Sequence, residues 1–390
     1  MDFSYSNKNF KINFVGSEPE LKSCIQDLLL SPEFAFDLEF DKDRIRYGFT
    51  LCLIQLATKT SCYIIDPLAR INLSLLFKLF ENRSILKVAH ASGEDLKLLQ
   101  SLGCIPQNIF DTEIASRLLN YESTSLLSML NVIMGFEHDK KMQPSNWYKR
   151  PLTAEQITYS SNDVIYLLDL KDRLQAAATE KGISHFLKEE FELLDSPPPL
   201  TAKRENFLKK SDLQTLSPYN QYVLNGLLQF RDALAKNINI PAAYLISNEL
   251  MRDIALGRFD LNYFHEAKGI YRKFKSEQFT NELKRKVDQL HETATRNNLA
   301  KRNNYIKTTA EERLNRKEEM QRIRDAIFSP VQKKLEELYG INAGKYLLSD
   351  GLVNDLLEKK IKINDIKYRY RKEVVLAVAR DLEINLQEYL

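Results

Sequence analysis

The 390-residue chain lacks the marks of a membrane protein and of a disulfide-rich protein. No apolar run reaches the roughly 20 residues that a helix needs to span a bilayer. The N-terminus has neither a basic start nor an apolar core, so we expect no signal peptide there. The 4 cysteines are too few and too scattered for a disulfide framework or a zinc cluster. We therefore expect a cytoplasmic protein with reduced thiols.

Apolar residues and charges make up much of what is present. The apolar share of 44% is ample for packed cores, and the length predicts two or three domains at about 150 residues each. Residues 201–390 contain 35 Lys and Arg against 26 Asp and Glu, whereas residues 1–200 contain 21 against 27. An acidic half beside a basic half indicates carboxylate chemistry in one and polyanion binding in the other, although surface solubility alone also produces such a distribution.

The first half alternates strand-like and helix-like patterns, which predicts an α/β domain with a mixed sheet. The predicted strands cover residues 10–15, 34–40, 51–57, 61–66 and 85–89. The predicted helices cover residues 19–30, 73–80, 93–102, 112–119, 126–134 and 153–178. A Ser-Pro-Pro-Pro run at 196–199 predicts a domain boundary, and no convincing strand pattern follows it.

The predicted strand at 34–40 carries the most informative pattern. Phe and Leu residues occupy one face, whereas Asp37 and Glu39 lie side by side on the other. Burying two unpaired carboxylates would cost on the order of several kcal/mol, so this strand needs a cation. Hard oxygen ligands suit Mg²⁺ or Mn²⁺. Taken alone, the pair more often lies on the wet face of an edge strand, because Asp-x-Glu is a common string.

Two further acidic positions have suitable settings. Asp95 follows a predicted buried strand and lies in the first turn of the next helix, where Ser92 is the expected N-cap and Asp95 has the capping-box position. A carboxylate that only stabilises a helix start is an equally good explanation. Tyr159 and Asp163 lie four residues apart and share one face of a helix, although a tyrosine at this spacing is more often part of a core.

Together these residues resemble the motifs of a known family. The runs Asp37-x-Glu39, His90-Ala-Ser-Gly-Glu-Asp95 and Tyr159-x-x-x-Asp163 are similar, in this order, to the three exonuclease motifs of the ribonuclease D family. That family belongs to the DEDD 3′–5′ exonucleases, in the subclass with tyrosine in the third motif. The resemblance covers about residues 10–180 and includes the segments 48–57, 110–119 and 147–156.

The chain departs from the family pattern at two positions. Asn146 stands where the family usually has Asp, and Leu38 stands where many relatives have Thr. The first change could alter a supporting hydrogen bond, and the second lies on the core-facing side of the strand. Neither change removes a candidate ligand.

The resemblance implies an α/β RNase H-like exonuclease domain, with a mixed central sheet flanked by helices, followed by an all-α region similar to HRDC (helicase and RNase D C-terminal) domains. The predicted organisation is an exonuclease domain at 1–195, a linker at 196–212, an HRDC-like helical domain at 213–295, a charged helical connector at 296–328 and a second HRDC-like helical domain at 329–390.

The resemblance also implies a set of site residues. Asp37, Glu39, Asp95 and Asp163 would hold two divalent cations, Mg²⁺ or Mn²⁺, and Tyr159 would aim the attacking water. Paired ions of this kind lie about 3.5–4 Å apart and bind the attacking and leaving oxygens of a phosphoryl displacement. Four crowded carboxylates repel one another unless cations neutralise them, which predicts metal dependence.

The implied function is that of a metal-dependent 3′–5′ exoribonuclease. It would release nucleoside 5′-monophosphates from RNA 3′ ends, such as the single-stranded tail of a tRNA precursor or another structured RNA. We expect a monomer that needs no membrane and no nucleotide cofactor. Two alternatives stay open: the same chemistry on DNA 3′ ends, and a nucleic-acid-binding scaffold with an inactive nuclease fold. All five catalytic positions are filled, which argues against the scaffold.

Candidate contacts to nucleic acid are less specific. His90, Trp147 and Arg150 are the candidates near the motifs, and Trp147 beside Lys149 and Arg150 combines stacking with charge. Core packing explains the tryptophan equally well. Basic residues of the second half could line an electrostatic funnel, although charged helices usually present solvated faces. They are Arg272, Lys273, Lys275, Lys284, Arg285, Lys286, Lys301 and Arg302.

Overall fold

The computed structural model describes residues 2–5, 8–135, 146–199, 206–303 and 309–390. The strands are β1 (Asp2–Tyr5), β2 (Lys8–Val15), β3 (Glu33–Lys42), β4 (Phe49–Ala57), β5 (Ser61–Ile65), β6 (Leu86–Ala89) and β7 (Ile109–Asp111). The α-helices up to residue 199 are α1 (Glu18–Leu29), α2 (Ser74–Phe80), α3 (Gly93–Ser101), α4 (Thr112–Leu118), α5 (Leu126–Met129), α6 (Ala154–Ile165), α7 (Leu167–Glu180) and α8 (Ser184–Leu194).

The described residues beyond 206 form helices. These are α9 (Lys210–Thr215), α10 (Pro218–Ile238), α11 (Ala242–Leu245), α12 (Asn248–Ala255), α13 (Glu277–Arg296), α14 (Ala310–Ile323), α15 (Ser329–Tyr339), α16 (Ile341–Leu347), α17 (Asp350–Leu357) and α18 (Arg369–Asp381). In these ranges the only strand-like pairing is an isolated bridge between Ile246 and Ile270. No described helix combines the length and apolar character of a membrane span.

The seven strands form one mixed sheet in the order β1-β2-β5-β4-β3-β6-β7. Parallel pairs join β2 to β5, β3 to β6 and β6 to β7, whereas β1 with β2 and β4 with β5 are antiparallel. The five predicted strands are confirmed with ends shifted by at most two residues. The mixed sheet with flanking helices and the all-α second half confirm the predicted fold class.

The two faces of β3 have different roles. Phe34 and Phe36 pack edge-on against Phe80 of α2, with ring centroids 5.5 and 5.2 Å apart. The opposite face begins with Glu33, whose carboxylate lies 2.7 Å from Nζ of Lys171 on α7. Because side chains alternate along a strand, residues 35, 37 and 39 share the face of Glu33. One face of β3 is therefore core, and the other carries the acidic residues.

The chain forms two compact units. Unit 1 comprises Met1–Glu39, Leu51–Leu200 and Thr309–Leu390, and unit 2 comprises Phe40–Thr50 and Thr201–Thr308. Each unit has its own apolar core. The predicted boundaries stay a prediction, but the C-terminal helices belong to the same compact unit as the sheet.

A buried ionic network joins the C-terminal helices of unit 1 to α8. Glu190 of α8 is fully buried. Its carboxylate accepts hydrogen bonds from Nη2 of Arg371 at 2.5 Å and from the hydroxyl of Tyr346 at 3.2 Å, and also from the hydroxyl of Tyr370. The ring of Tyr370 stacks on Phe186 at 4.4 Å. A buried carboxylate needs this degree of pairing, so the network ties residues 184–194 to residues 341–381.

Unit 2 is helical apart from its first segment. Helices α10, α12 and α13 enclose its core, which includes Leu227, Met251 and Leu283. Residues 40–50 attach through Tyr47, whose hydroxyl donates to Asp232 at 2.8 Å.

Candidate active site

Three carboxylates from two elements meet at one point. Asp37 and Glu39 extend from the same face of β3, and Asp163 extends from α6. One carboxylate oxygen of each residue lies within 4.8 Å of the others, and all three side chains are partly buried. Residues of the first and third motifs, more than 120 positions apart in the sequence, are thereby brought together.

Helix α6 holds the third motif in place. Thr153 forms a capping box with Gln156, which fixes the start of the helix. Tyr159 lies one turn before Asp163, and its hydroxyl makes a side-chain hydrogen bond to the Asp163 carboxylate. The predicted shared face of these two residues is confirmed. The Tyr159 ring lies 6.2 Å from that of Trp147, centroid to centroid.

Asp95 is placed by a neighbouring aspartate. Asp111 at the end of β7 accepts hydrogen bonds from the backbone N–H groups of Ala91 at 3.0 Å and Ser92 at 2.8 Å, and from the Ser92 hydroxyl at 2.8 Å. It also caps α4 by accepting from the N–H of Glu113 at 2.9 Å. Asp95 is 7% exposed in the first turn of α3. Ser92 is the N-cap residue of α3, as predicted, but its side chain accepts no capping hydrogen bond and its hydroxyl donates to Asp111 instead.

Burial and mutual repulsion disfavour charge on these carboxylates. Burial raises the pKa of Asp37 to about 7. Burial together with the charges of Asp37, Asp163 and Asp95 raises the pKa of Glu39 to about 10. Burial and the charge of Asp37 also hold the pKa values of Asp95 and Asp163 well above their usual range. Asp95 therefore lies within electrostatic reach of Asp37 and Glu39.

The donor set fits a divalent cation. Every candidate ligand atom is a carboxylate oxygen, the hard donor that Mg²⁺ and Mn²⁺ prefer. Among the described residues, no lysine or arginine charge lowers the pKa of any of the four carboxyl groups. A cluster of like charges without a protein counter-charge suits metal binding.

Trp147 and Arg150 support the fold around α6. Trp147 is 5% exposed within the unit 1 core, so its ring offers no free face for a base. The Arg150 guanidinium pairs with Asp66 at 2.6 and 2.8 Å and donates to the carbonyls of Trp147 and Cys52 at 2.7 and 2.9 Å. The burial of Trp147 favours the core-packing alternative for that residue, whereas the predicted contact of Arg150 with nucleic acid stays a prediction. The side chain of Trp147 packs in the core, and the guanidinium of Arg150 is hydrogen-bonded to other groups of the protein.

His90 is held by its own neighbours. Its Nδ1 lies 2.9 Å from the Thr112 hydroxyl, and burial lowers the pKa of its ring. Its predicted contact with nucleic acid stays a prediction. Asn146 accepts a hydrogen bond from the backbone N–H of Tyr148 at 3.0 Å, a role that an aspartate would also fill. The departure from the family pattern at this position therefore keeps the supporting contact.

Sequence reasoning missed Asp111 and the pair formed by Glu33 and Lys171. Asp111 had a signal, since an Asp directly before Thr112 and Glu113 is typical of a helix N-cap. The pair had none, because its members lie on β3 and α7, far apart in the sequence.

Comparison with known proteins agrees with this geometry. The model of the 3′–5′ exonuclease family matches residues 12–178. A ribonuclease D from Desulfotalea psychrophila is 33% identical over 248 residues, which cover 62% of this chain and 66% of that protein. Over three curated ribonuclease D relatives, the chain spans 63% to 66% of their length, just under two thirds.

Two solved structures are similar. The catalytic core of RRP6 from Trypanosoma brucei superposes with a TM-score of 0.64 at 25% identity, over 75% of this chain and 82% of that one. Escherichia coli RNase D superposes with a TM-score of 0.72 at 21% identity, over 95% and 99% of the two chains, which establishes a common fold.

Proposed function

We propose that the chain belongs to the ribonuclease D family and is a metal-dependent 3′–5′ exoribonuclease. The observation that carries the proposal is the meeting of Asp37, Glu39 and Asp163 within 4.8 Å. Three carboxylates in this arrangement repel one another in the absence of a cation. Their arrangement beside the Tyr159 hydroxyl supports hydrolysis of a phosphodiester.

Each residue has a proposed role. Asp37, Glu39, Asp95 and Asp163 hold two divalent cations, Mg²⁺ or Mn²⁺. When bound, such ions supply a nucleophile at neutral pH and neutralise charge on the attacking and leaving oxygens. Tyr159, whose hydroxyl bonds to Asp163, orients the attacking water. Asp111 holds the start of α3, and so it positions Asp95.

The proposed substrate is the single-stranded 3′ tail of a structured RNA, such as a tRNA precursor, from which nucleoside 5′-monophosphates leave one at a time. The ribonuclease D relatives and the excess of basic residues in 201–390 support this choice. We propose that the protein acts as a monomer. The four buried free cysteines support a reducing compartment, the cytoplasm.

Digestion of 3′-labelled RNA tests the proposal. With Mg²⁺, the purified protein should release labelled mononucleotides, and EDTA should stop this release. Asp37→Ala should abolish release without changing the fold, as judged by circular dichroism. Glu192→Ala removes a carboxylate whose side chain is 63% exposed on α8, and it should keep full activity. Robust digestion by Asp37→Ala would overturn the assignment of the site.

The same assay separates the alternatives. A matched DNA strand digested at the same rate would extend the substrate to DNA, because carboxylate ligands do not contact the 2′-hydroxyl. Calorimetry that detects neither Mg²⁺ nor Mn²⁺ binding would favour a scaffold with an inactive nuclease fold.

A further inference from the structure

A second site lies within unit 1, on residues that the proposed catalysis does not use. A polar cavity of about 480 Å³ opens where α4 and the loop after it face the C-terminal helices. We call it the α4–α16 cavity. Its lining includes Arg117, Glu122, Lys345, Tyr346, Ser349 and Arg371. None of the carboxylates proposed to hold metal lines it.

Arg117 presents unused donors to the cavity. Its Nε bonds to Glu113, one turn earlier on α4, and its side chain is 49% exposed. Its two terminal nitrogens form no hydrogen bond within the described part of the chain. A guanidinium anchored through Nε and open at both terminal nitrogens presents a fork that matches two oxygens of a phosphate.

The charges around the cavity are nearly balanced, so the geometry of the donors, more than net charge, suits it to an anion. The charge of Arg371 is neutralised by the buried Glu190, so Arg371 shapes the wall of the cavity but adds little net positive charge. Lys345 is exposed on α16 and forms no ion pair within the described residues. Arg117 is likewise paired with Glu113, so the charge that stays available for an anion is the Lys345 ammonium, and Glu122 supplies the one carboxylate among the lining residues.

The aromatic wall is preorganised. The Tyr346 ring lies beneath two guanidinium groups, with Cζ of Arg371 at 4.2 Å and Cζ of Arg117 at 5.7 Å from its centroid. Cations over a ring face are attracted by its quadrupole, so the ring helps to fix both side chains. Donors that are already in place bind with a smaller loss of side-chain entropy.

We propose that the α4–α16 cavity binds a phosphate group of the RNA substrate away from the carboxylate cluster. This inference rests on the proposed function. The volume of about 480 Å³ accommodates a phosphate with its attached nucleotide. The phosphate belongs either to the RNA backbone or to a released nucleoside monophosphate, which presents the same group.

Equilibrium binding in EDTA, where RNA is not cleaved, tests the inference on the full chain. For a single-stranded RNA of about twelve nucleotides, Arg117→Gln and Lys345→Gln should each weaken binding roughly tenfold. The plot of the logarithm of the association constant against the logarithm of the salt concentration has a negative slope. This slope should become less steep by about 0.7 for each lost phosphate contact. Arg117→Lys, which keeps the charge but not the fork, should recover only part of the affinity.

Three comparisons make this test specific. Lys333→Gln removes an exposed lysine of α15 outside the lining, and it should bind like the wild type. The loss in Arg117→Gln should be larger for the long RNA than for a dinucleotide, which offers one phosphodiester and no neighbouring phosphates that help to hold it at the cavity. AMP that displaces long RNA from the wild type but not from Arg117→Gln would identify the released nucleotide as the ligand. If AMP does not displace the long RNA from the wild type, the ligand is the RNA backbone.

The result that overturns the inference is RNA binding by both glutamine variants within twofold of the wild type, with an unchanged salt slope. A loss of binding that accompanies a lower unfolding temperature, with no recovery in Arg117→Lys, would also overturn it. The proposed nuclease can fail separately. If the wild type binds RNA through Arg117 but releases no mononucleotide with Mg²⁺, the proposal of a phosphate site in the cavity is supported and the proposal of nuclease activity is contradicted.

Discussion

At the scale of single residues, the hydroxyl of Tyr159 is the group whose role is easiest to isolate. Tyr159→Phe removes one hydrogen bond to Asp163 and leaves all four carboxylates in place. We expect kcat to fall on the order of 10²-fold, because one oriented donor is lost, and metal affinity to stay within about twofold. Steady-state digestion and Mn²⁺ calorimetry measure the two quantities.

The matched comparison is Asp163→Asn, which removes a proposed ligand and should lose both activity and metal affinity. Full turnover by Tyr159→Phe would mean that the tyrosine only packs against Trp147.

Protonation of the cluster should control metal affinity. Burial raises the pKa of Asp37 to about 7, and burial with neighbouring charge raises that of Glu39 to about 10. Below pH 7 a cation must displace the proton of Asp37, so Mn²⁺ affinity should rise between pH 6 and 8. Calorimetry in buffers of different ionisation enthalpy measures the released protons. In Asp37→Asn, which lacks a proposed ligand, Mn²⁺ should bind much more weakly at every pH. A wild-type Mn²⁺ affinity that does not change between pH 6 and 8 would contradict the prediction.

At the scale of elements, the turn between α15 and α16 depends on one glycine. Gly340 has a φ of 93°, and a Cβ there would lie 2.1 Å from Nδ2 of Asn120. The Oδ1 of Asn120 accepts from the N–H of Asn342 at 2.8 Å. Gly340→Ala should therefore lower the free energy of unfolding by about 2 kcal/mol or more, through backbone strain and displacement of Asn120. Urea denaturation measures the change.

Gly351→Ala is the control for this prediction. Its Cβ would meet only the Ser349 hydroxyl at 3.9 Å, on helix α17. It should be neutral or stabilise by up to about 1 kcal/mol, because alanine is the better helix former. Equal effects of the two substitutions would show that the Asn120 contact is unimportant.

The elements that the sequence predicts are those with a local signal. The alternation in β3 predicts the strand and the shared face of Asp37 and Glu39, because both depend on neighbouring residues. Strands β1 and β7 have only four and three residues, which is too short for alternation to be read. The support of Asp95 by Asp111 was missed because it joins two helix starts. The pairing of Glu190 with Arg371 spans 181 positions, and no local pattern encodes it.

At the scale of the whole molecule, two separate cores predict two unfolding transitions. Unit 1 and unit 2 each bury their own apolar cluster. Calorimetry should resolve two transitions, and Glu190→Gln should lower the midpoint temperature of only one of them. That change leaves the partly buried Arg371 guanidinium without its counter-charge, which should cost about 3 kcal/mol. A single transition, or an equal shift of both, would contradict the division.

The discontinuity of unit 1 along the chain has a consequence for protein synthesis. The first two segments of unit 1 are complete at residue 200, but Tyr370 and Arg371 lie in its last segment. At 5–20 residues per second, a ribosome needs roughly 10–40 s to make residues 201–390. During that interval the Glu190 carboxylate has no Arg371 guanidinium to pair with. The part of unit 1 that precedes unit 2 therefore lacks this pairing until residue 371 has been made, and unit 2 has time to fold first.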